Sequence, residues 1–370
     1  MHQSHNFLAS LFIIALIIFA SSYIGGRRSH AYAQQESTIA SSQREQGITL
    51  YKQGNFKGAI NQLRAVVKQD RDDADAWRYL GLALNNGGDL KDARKAFETA
   101  IKLRPLDAIA HTGLAYALLL ADKTGDAARE SKRALELDAN IADAHYIIGV
   151  TYLRKGEPVK SFGEAETAIA INPNFGPAFL LKTQALVNMY LSENVIASRN
   201  VPGARPPTTE ALQRVDKEQS EILRAHRSRF KEAAKSLTRY LQLTPNSDEA
   251  NTWREQLDAL RVYSKIGDES EAQRNVFLAS EVTTKVRVLA KPEPQYTESA
   301  RQAGVNGVVL LRAVLASDGT VQNILVFRSL SHGLTEQAIR ASRKIKFTPA
   351  TKDGRPVSQA VMLEYYFNLY

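Results

Sequence analysis

The sequence predicts a multidomain protein: an all-α solenoid of helical repeats, then a small α+β domain, after an N-terminal hydrophobic helix. Three observations carry this. Residues 1–26 hold no Asp, Glu, Lys or Arg. The middle of the chain repeats one spacing of small and large apolar residues every 34 positions. The last stretch alternates apolar and polar residues with the period of a strand, which in a helix would scatter them over all faces. The expected boundaries are 1–33 for the N-terminal segment, 40–263 for the repeats with an insertion at 192–228, 264–290 for a linker and 291–370 for the C-terminal domain.

At the N-terminus, residues 8–20 are apolar except for Ser10. Extended from Phe7 to Ile24, the run is near the lower limit for crossing a bilayer. Ala31-Tyr32-Ala33 before Gln34 is an A-x-A cleavage pattern. The segment therefore reads as a signal peptide or a membrane anchor. Its n-region lacks Lys and Arg, which favours the anchor, whereas Arg27 and Arg28 follow the apolar run and oppose an exported C-terminus under the positive-inside rule. The expectation adopted is an exported protein, single-pass in the inner membrane with a periplasmic C-terminal region. The alternative is a periplasmic form after cleavage.

In the repeats, Trp77, Leu80, Gly81, Leu84, Ala93, Phe97, Ala100 and Pro105 define one unit from Ala74. One period earlier stand Gly47, Leu50, Ala59, Leu63 and Val66; one period later, His111, Leu114, Ala115, Ala127 and Ala134. The unit from residue 142 supplies Gly149, Tyr152, Ser161, Ala165, Ala168 and Pro173. Small residues let two helices of a hairpin approach, and larger apolar residues fill the space between hairpins. This spacing resembles the tetratricopeptide repeat (TPR). The register then breaks: Pro177–Tyr190 opens a fifth unit, a Pro-rich loop and a charged helical stretch interrupt it, and Phe230 to Pro245 resumes it. Asp248–Val262 reads as a capping helix with Trp253, Leu257 and Leu260 inward. Asn85, Asn86, Arg154 and Lys155 are candidates for the binding surface of such a repeat, and solvated side chains are the plainer reading.

The C-terminal domain reads as β-β-α-β. Val308–Leu315 and Val321–Phe327 are strands joined by the turn Asp318-Gly319, and residues 335–344 form a helix. In the closing run, Val361, Leu363, Tyr365, Phe367 and Leu369 alternate with Met362, Glu364, Tyr366 and Asn368. One apolar face of the sheet is then expected to pack on the single helix. Pro294-Gln295-Tyr296, Gly307-Val308-Val309-Leu310, Asp318-Gly319, Phe347-Thr348-Pro349-Ala350 and Asp353-Gly354-Arg355-Pro356-Val357 in this order resemble the C-terminal domain of TonB-type energy transducers.

The resemblance implies a periplasmic protein that pairs an exposed strand edge with a short segment of a TonB-dependent outer-membrane transporter, or another envelope protein. It also implies force drawn from inner-membrane proton-channel motor proteins. On that reading the protein-binding residues are Gln295, Tyr296, Val361, Leu363, Tyr365 and Phe367. The long Lys-Pro/Glu-Pro spacer of such transducers is missing, and repeats stand in its place. The alternative reading is thus a non-transducing adaptor or scaffold of the cell envelope.

The formal charge of +9 is spread over helices that also carry many acids, with no basic stripe interleaved with aromatics, so nucleic acid is not an expected partner. Cysteine is absent, which excludes disulfides and thiol chemistry. The seven histidines have no ligand-like spacing, and His111 and His145 lie one period apart, in the same expected slot. No nucleophile elbow, P-loop or paired-carboxylate pattern is present, so neither an enzyme nor a cofactor is expected.

Overall fold

The computed structural model describes residues 41–197, 209–247, 249–266 and 276–369. The hydrophobic segment 1–33 and parts of the expected insertion and linker lie outside the described residues. The expectation of a membrane-spanning anchor is corrected: among the described residues, no helix is long and apolar enough to cross a membrane. With it falls the expected single-pass attachment to the inner membrane.

The chain divides into two compact units, one ending at Ala139 and one beginning at Asn140. In the first, α1 (residues 41–52), α2 (Phe56–Gln69), α3 (Ala74–Asn86), α4 (Leu90–Leu103), α5 (Ala108–Leu120) and α6 (Thr124–Leu137) form successive hairpins. Small residues set the spacing, as the sequence predicts. A Cβ on Gly47 would lie 2.7 Å from the Leu63 side chain, and one on Gly81 2.8 Å from the Phe97 ring. Ala59, Ala93 and Ala127 are wholly buried. Asn55, Asp73, Asp89 and Asp107 cap α2, α3, α4 and α5 by accepting from backbone N–H groups in the first turn. Ion pairs repeat one unit apart, Arg44 to Asp73 at 3.1 Å and Arg78 to Asp107 at 3.0 Å. His111 meets Glu130 at 2.8 Å, and in the second unit His145 meets Glu164 at 2.7 Å, so the two histidines do fill one repeated slot.

The second unit contains α7 (Ala142–Arg154), α8 (Pro158–Ile171), α9 (Gly176–Ala197), α10 (Thr209–Leu243) and α11 (Ala250–Tyr263). The charged stretch and the resumed repeat helix, read separately in the sequence, are one continuous helix, α10. The C-terminal domain follows with β1 (Val276–Phe277), β2 (Arg287–Ala290), α12 (Glu298–Gln302), β3 (Gly307–Leu315), β4 (Val321–Arg328), α13 (Leu334–Ser342), β5 (Lys346–Thr348), β6 (Ala350–Lys352) and β7 (Arg355–Phe367). The main sheet has the order β1-β7-β3-β4, with β6 folded onto the start of β7. β3 and β7 are antiparallel from Gly307 opposite Phe367 to Leu315 opposite Gln359. Asp353 and Gly354 both take positive φ, 51° and 76°, the backbone that a tight two-residue hairpin turn demands.

This sheet buries two faces, where the alternation predicts one. Val309, Leu311, Ala313, Leu315, Leu363, Tyr365 and Phe367 pack with Leu334, Ala338 and Ile339 of α13. On the opposite face Val314, Leu325, Phe327 and Ala360 share a core with Phe230 and Leu237 of α10 and Leu257, Leu260 and Tyr263 of α11. Arg312, on that same face, is 7 % exposed and lies over the rings of Tyr190 and Tyr263, 5.1 and 4.7 Å from their centroids. The repeat helices and the sheet thus meet in one apolar core. α11 is an interface helix, and not a cap turned to solvent.

Candidate protein-binding edge

A sheet edge is a row of backbone donors and acceptors, and what covers it decides whether another chain can pair there. The β4 edge is covered. The Gln256 carboxamide donates to Ile324 O at 3.0 Å and accepts from Val326 N at 2.8 Å, taking the place of a neighbouring strand. Tyr263 Oη donates to Asn323 O at 2.9 Å. Asn323 itself sits at φ 48°, where β4 changes register against β3.

The β7 edge differs. β1 pairs with Ser358 and Gln359 only, and beyond them no strand among the described residues lies outside β7. Lys291 Nζ donates to Glu364 O, so this carbonyl points away from β3. Backbone groups alternate in direction along a strand, which places those of Met362 and Tyr366 on the same outer side. Their side chains are exposed, at 41 % and 64 %. A pocket of about 370 Å³ lies alongside, between residues 291–296 and residues 364–368.

Of the sequence-predicted residues, Val361, Leu363, Tyr365 and Phe367 turn their side chains to the α13 core, Val361 only partly buried. The outward edge is displaced by one residue, to Met362, Glu364 and Tyr366. Tyr296 lines the pocket, packs edge-on to Phe367 with centroids 5.8 Å apart, and donates its hydroxyl to Val305 O. It holds the pocket wall in place. Gln295 is exposed and does not line the pocket. Lys291, unmarked in the sequence reading, is the side chain at the centre: its ammonium also lies 4.5 Å from the Tyr365 ring centroid. The Tyr365 hydroxyl is buried without a hydrogen-bond partner, and burial pushes its pKa up to about 12. Tyr366 donates to Glu364 Oε2 at 2.5 Å, and that bond holds its phenol above the ordinary range.

The expected repeat-surface residues divide as well. Asn85 is buried and donates to Gly113 O, tying α3 to α5, and Asn86 donates to Leu82 O within its own helix. Arg154 and Lys155 are exposed. No group of three His, Asp or Glu able to hold a metal occurs among the described residues.

Comparison with known proteins matches the two regions separately. The family of the Gram-negative bacterial TonB protein C-terminal matches residues 292–369, and the tetratricopeptide repeat matches 44–98 and 86–140. The chain joins a TPR region to a TonB-type C-terminal domain. The protein TonB of Vibrio cholerae serotype O1 is 30 % identical over 83 residues, which are 22 % of this chain. The chain spans about a third of that relative's length (34 %). Among solved structures, MamA is 24 % identical over 45 % of this chain and 98 % of its own, with a TM-score of 0.37. A thermophilic TPR protein of Thermus thermophilus is 16 % identical, covering 60 % and 99 %, with a TM-score of 0.42. Pseudomonas aeruginosa pilF is 16 % identical, covering 59 % and 98 %, at 0.38.

Proposed function

We propose that this protein is a cell-envelope adaptor that captures an extended segment of a partner by adding it as a strand to the outer edge of β7. The observation that carries the reading is the edge from Met362 to Tyr366, where a lysine ammonium stands in the place of a neighbouring strand. Strand addition draws affinity from main-chain hydrogen bonds and specificity from the pockets beside them, and the pocket bordered by Lys291 and Tyr296 supplies the second element. The repeats serve as a further protein-binding scaffold. A periplasmic location after removal of residues 1–33 accords with the A-x-A pattern and with the TonB-type domain.

A finer reading, supported by the likeness to TonB, makes the partner the N-terminal segment of a TonB-dependent outer-membrane transporter and the protein a coupler of proton-motor force. The adaptor is favoured because the domain is bedded on α9–α11 through a common core, where a transducer requires a domain free at the end of an extended tether. Amide exchange in the full chain tests strand addition. With a synthetic transporter N-terminal peptide added, the amides of Met362, Glu364 and Tyr366 should slow; unchanged exchange there in titrations with peptides of any envelope partner removes the reading. Co-purification with a proton-channel motor complex decides for coupling over the adaptor.

A further inference from the structure

Where Gln256 stops covering β4, the strand runs into a groove of about 790 Å³. The groove lies wholly in the second unit. α7, α9 and α11 form its walls, and residues 325–329 form its floor. It therefore exists only because the sheet docks on the helices, and neither module encloses it alone.

Its chemistry is one-sided. Tyr146, Leu153, Leu180 and Trp253 line it half-buried, each with part of its apolar surface open to the groove. Arg154, Lys155 and Arg328 are exposed at its rim, and no Asp or Glu is among the lining residues. Two other cations of this unit are paired with acids: Lys182 sits 2.8 Å from Glu166 and 2.9 Å from Glu232, and Arg343 sits 2.7 Å from Glu255. Lys155 and Arg328 make no ion pair with the described residues. The Gln184 carboxamide, half-buried in the α9 wall, makes no hydrogen bond with them either and offers a donor and an acceptor to a peptide backbone.

We propose that this composite groove is a second binding site, separate from the β7 edge, for an extended acidic segment of a partner protein. Apolar side chains of the segment would seat against Tyr146 and Trp253, and its carboxylates would meet Arg154, Lys155 and Arg328. A cationic rim around an apolar floor selects for sequence that alternates apolar and acidic residues and repels basic sequence.

The test is a selection of displayed random dodecapeptides on the full chain. The selected peptides are then measured against R154E/K155E/R328E and against a control reversal in the first unit, K57E/K91E/K102E, all six positions being exposed. The expected result is a pool rich in Asp and Glu beside apolar residues. Its members should bind the groove variant at least about tenfold more weakly and the control with unchanged affinity, with amide exchange at Met362–Tyr366 unaffected. A pool without acidic bias overturns the proposal, as does equal binding to the groove variant, equal loss in the control, or protection appearing at β7 instead. A dimer of the wild type that the groove reversal dissociates also overturns it, since the face would then be a contact between copies.

Discussion

The two edges of the C-terminal sheet are closed by different means. At β4 the closing groups are Gln256 and Tyr263, both buried in a core shared with the sheet, and together they make three hydrogen bonds to its backbone. At β7 the closing group is Lys291, an exposed side chain on an irregular segment, reaching a single carbonyl. A buried carboxamide cannot leave without stranding a donor and an acceptor away from water, whereas an ammonium can swing into solvent and be hydrated there. The β4 edge is thus committed to the fold, and the β7 edge remains open to a partner.

The largest expected effect comes from opening the closed edge. Gln256→Ala leaves Ile324 O and Val326 N unpaired and should cost about 2–3 kcal/mol, read as a lower urea midpoint together with faster exchange of the Val326 amide. A change below about 0.5 kcal/mol would mean that β4 needs no cover. Tyr263→Phe removes the single bond to Asn323 O but keeps the ring against Arg312, for a loss of about 1 kcal/mol.

On the open side, Tyr365→Phe should stabilise the chain by up to about 1 kcal/mol, because the deleted hydroxyl is buried and unpaired. The same residue gives a pH signature. Its folded pKa of about 12 exceeds the value of 10.0 for a free phenol, so the folded state holds the proton more tightly. The corresponding stability is fully present below pH 10 and is lost as pH rises through 12. Alkaline unfolding midpoints of wild type and Tyr365→Phe should therefore separate in that window, the variant being the more resistant. Tyr263 is buried with the same sign of shift, so an alkaline transition of reduced size should survive in Tyr365→Phe.

The smallest effect on stability belongs to Lys291→Ala, expected within about 0.5 kcal/mol of wild type. The Glu364 carbonyl it releases faces solvent, where water replaces the ammonium. Its value lies in the comparison: unlike Gln256→Ala, it should change peptide binding at β7 while leaving the melting curve in place. A Lys291→Ala protein destabilised as much as Gln256→Ala would mean that both edges are structural.

Periodicity alone determined most of the architecture. Gly81 and Ala93 at their places in a 34-residue spacing leave room for one packing of hairpins, since a Cβ on Gly81 would already press on Phe97. The alternation from Val361 to Phe367 likewise placed a strand and its buried face. The sequence also held Leu310, Val314, Leu325 and Phe327 on the other face of the same strands, but a period of two says only that a face is apolar, not what covers it.

Tertiary structure decided that cover to be α10 and α11, and so turned an apparent cap helix into an interface. It also decided which strand edge stays open. A backbone edge has no side-chain signature, because every residue carries the same N–H and C=O; occupancy depends on what other elements bring within about 3 Å. Gln256 and Lys291 look alike in sequence, polar residues among many. Only their burial separates the one that completes the sheet from the one that can give way.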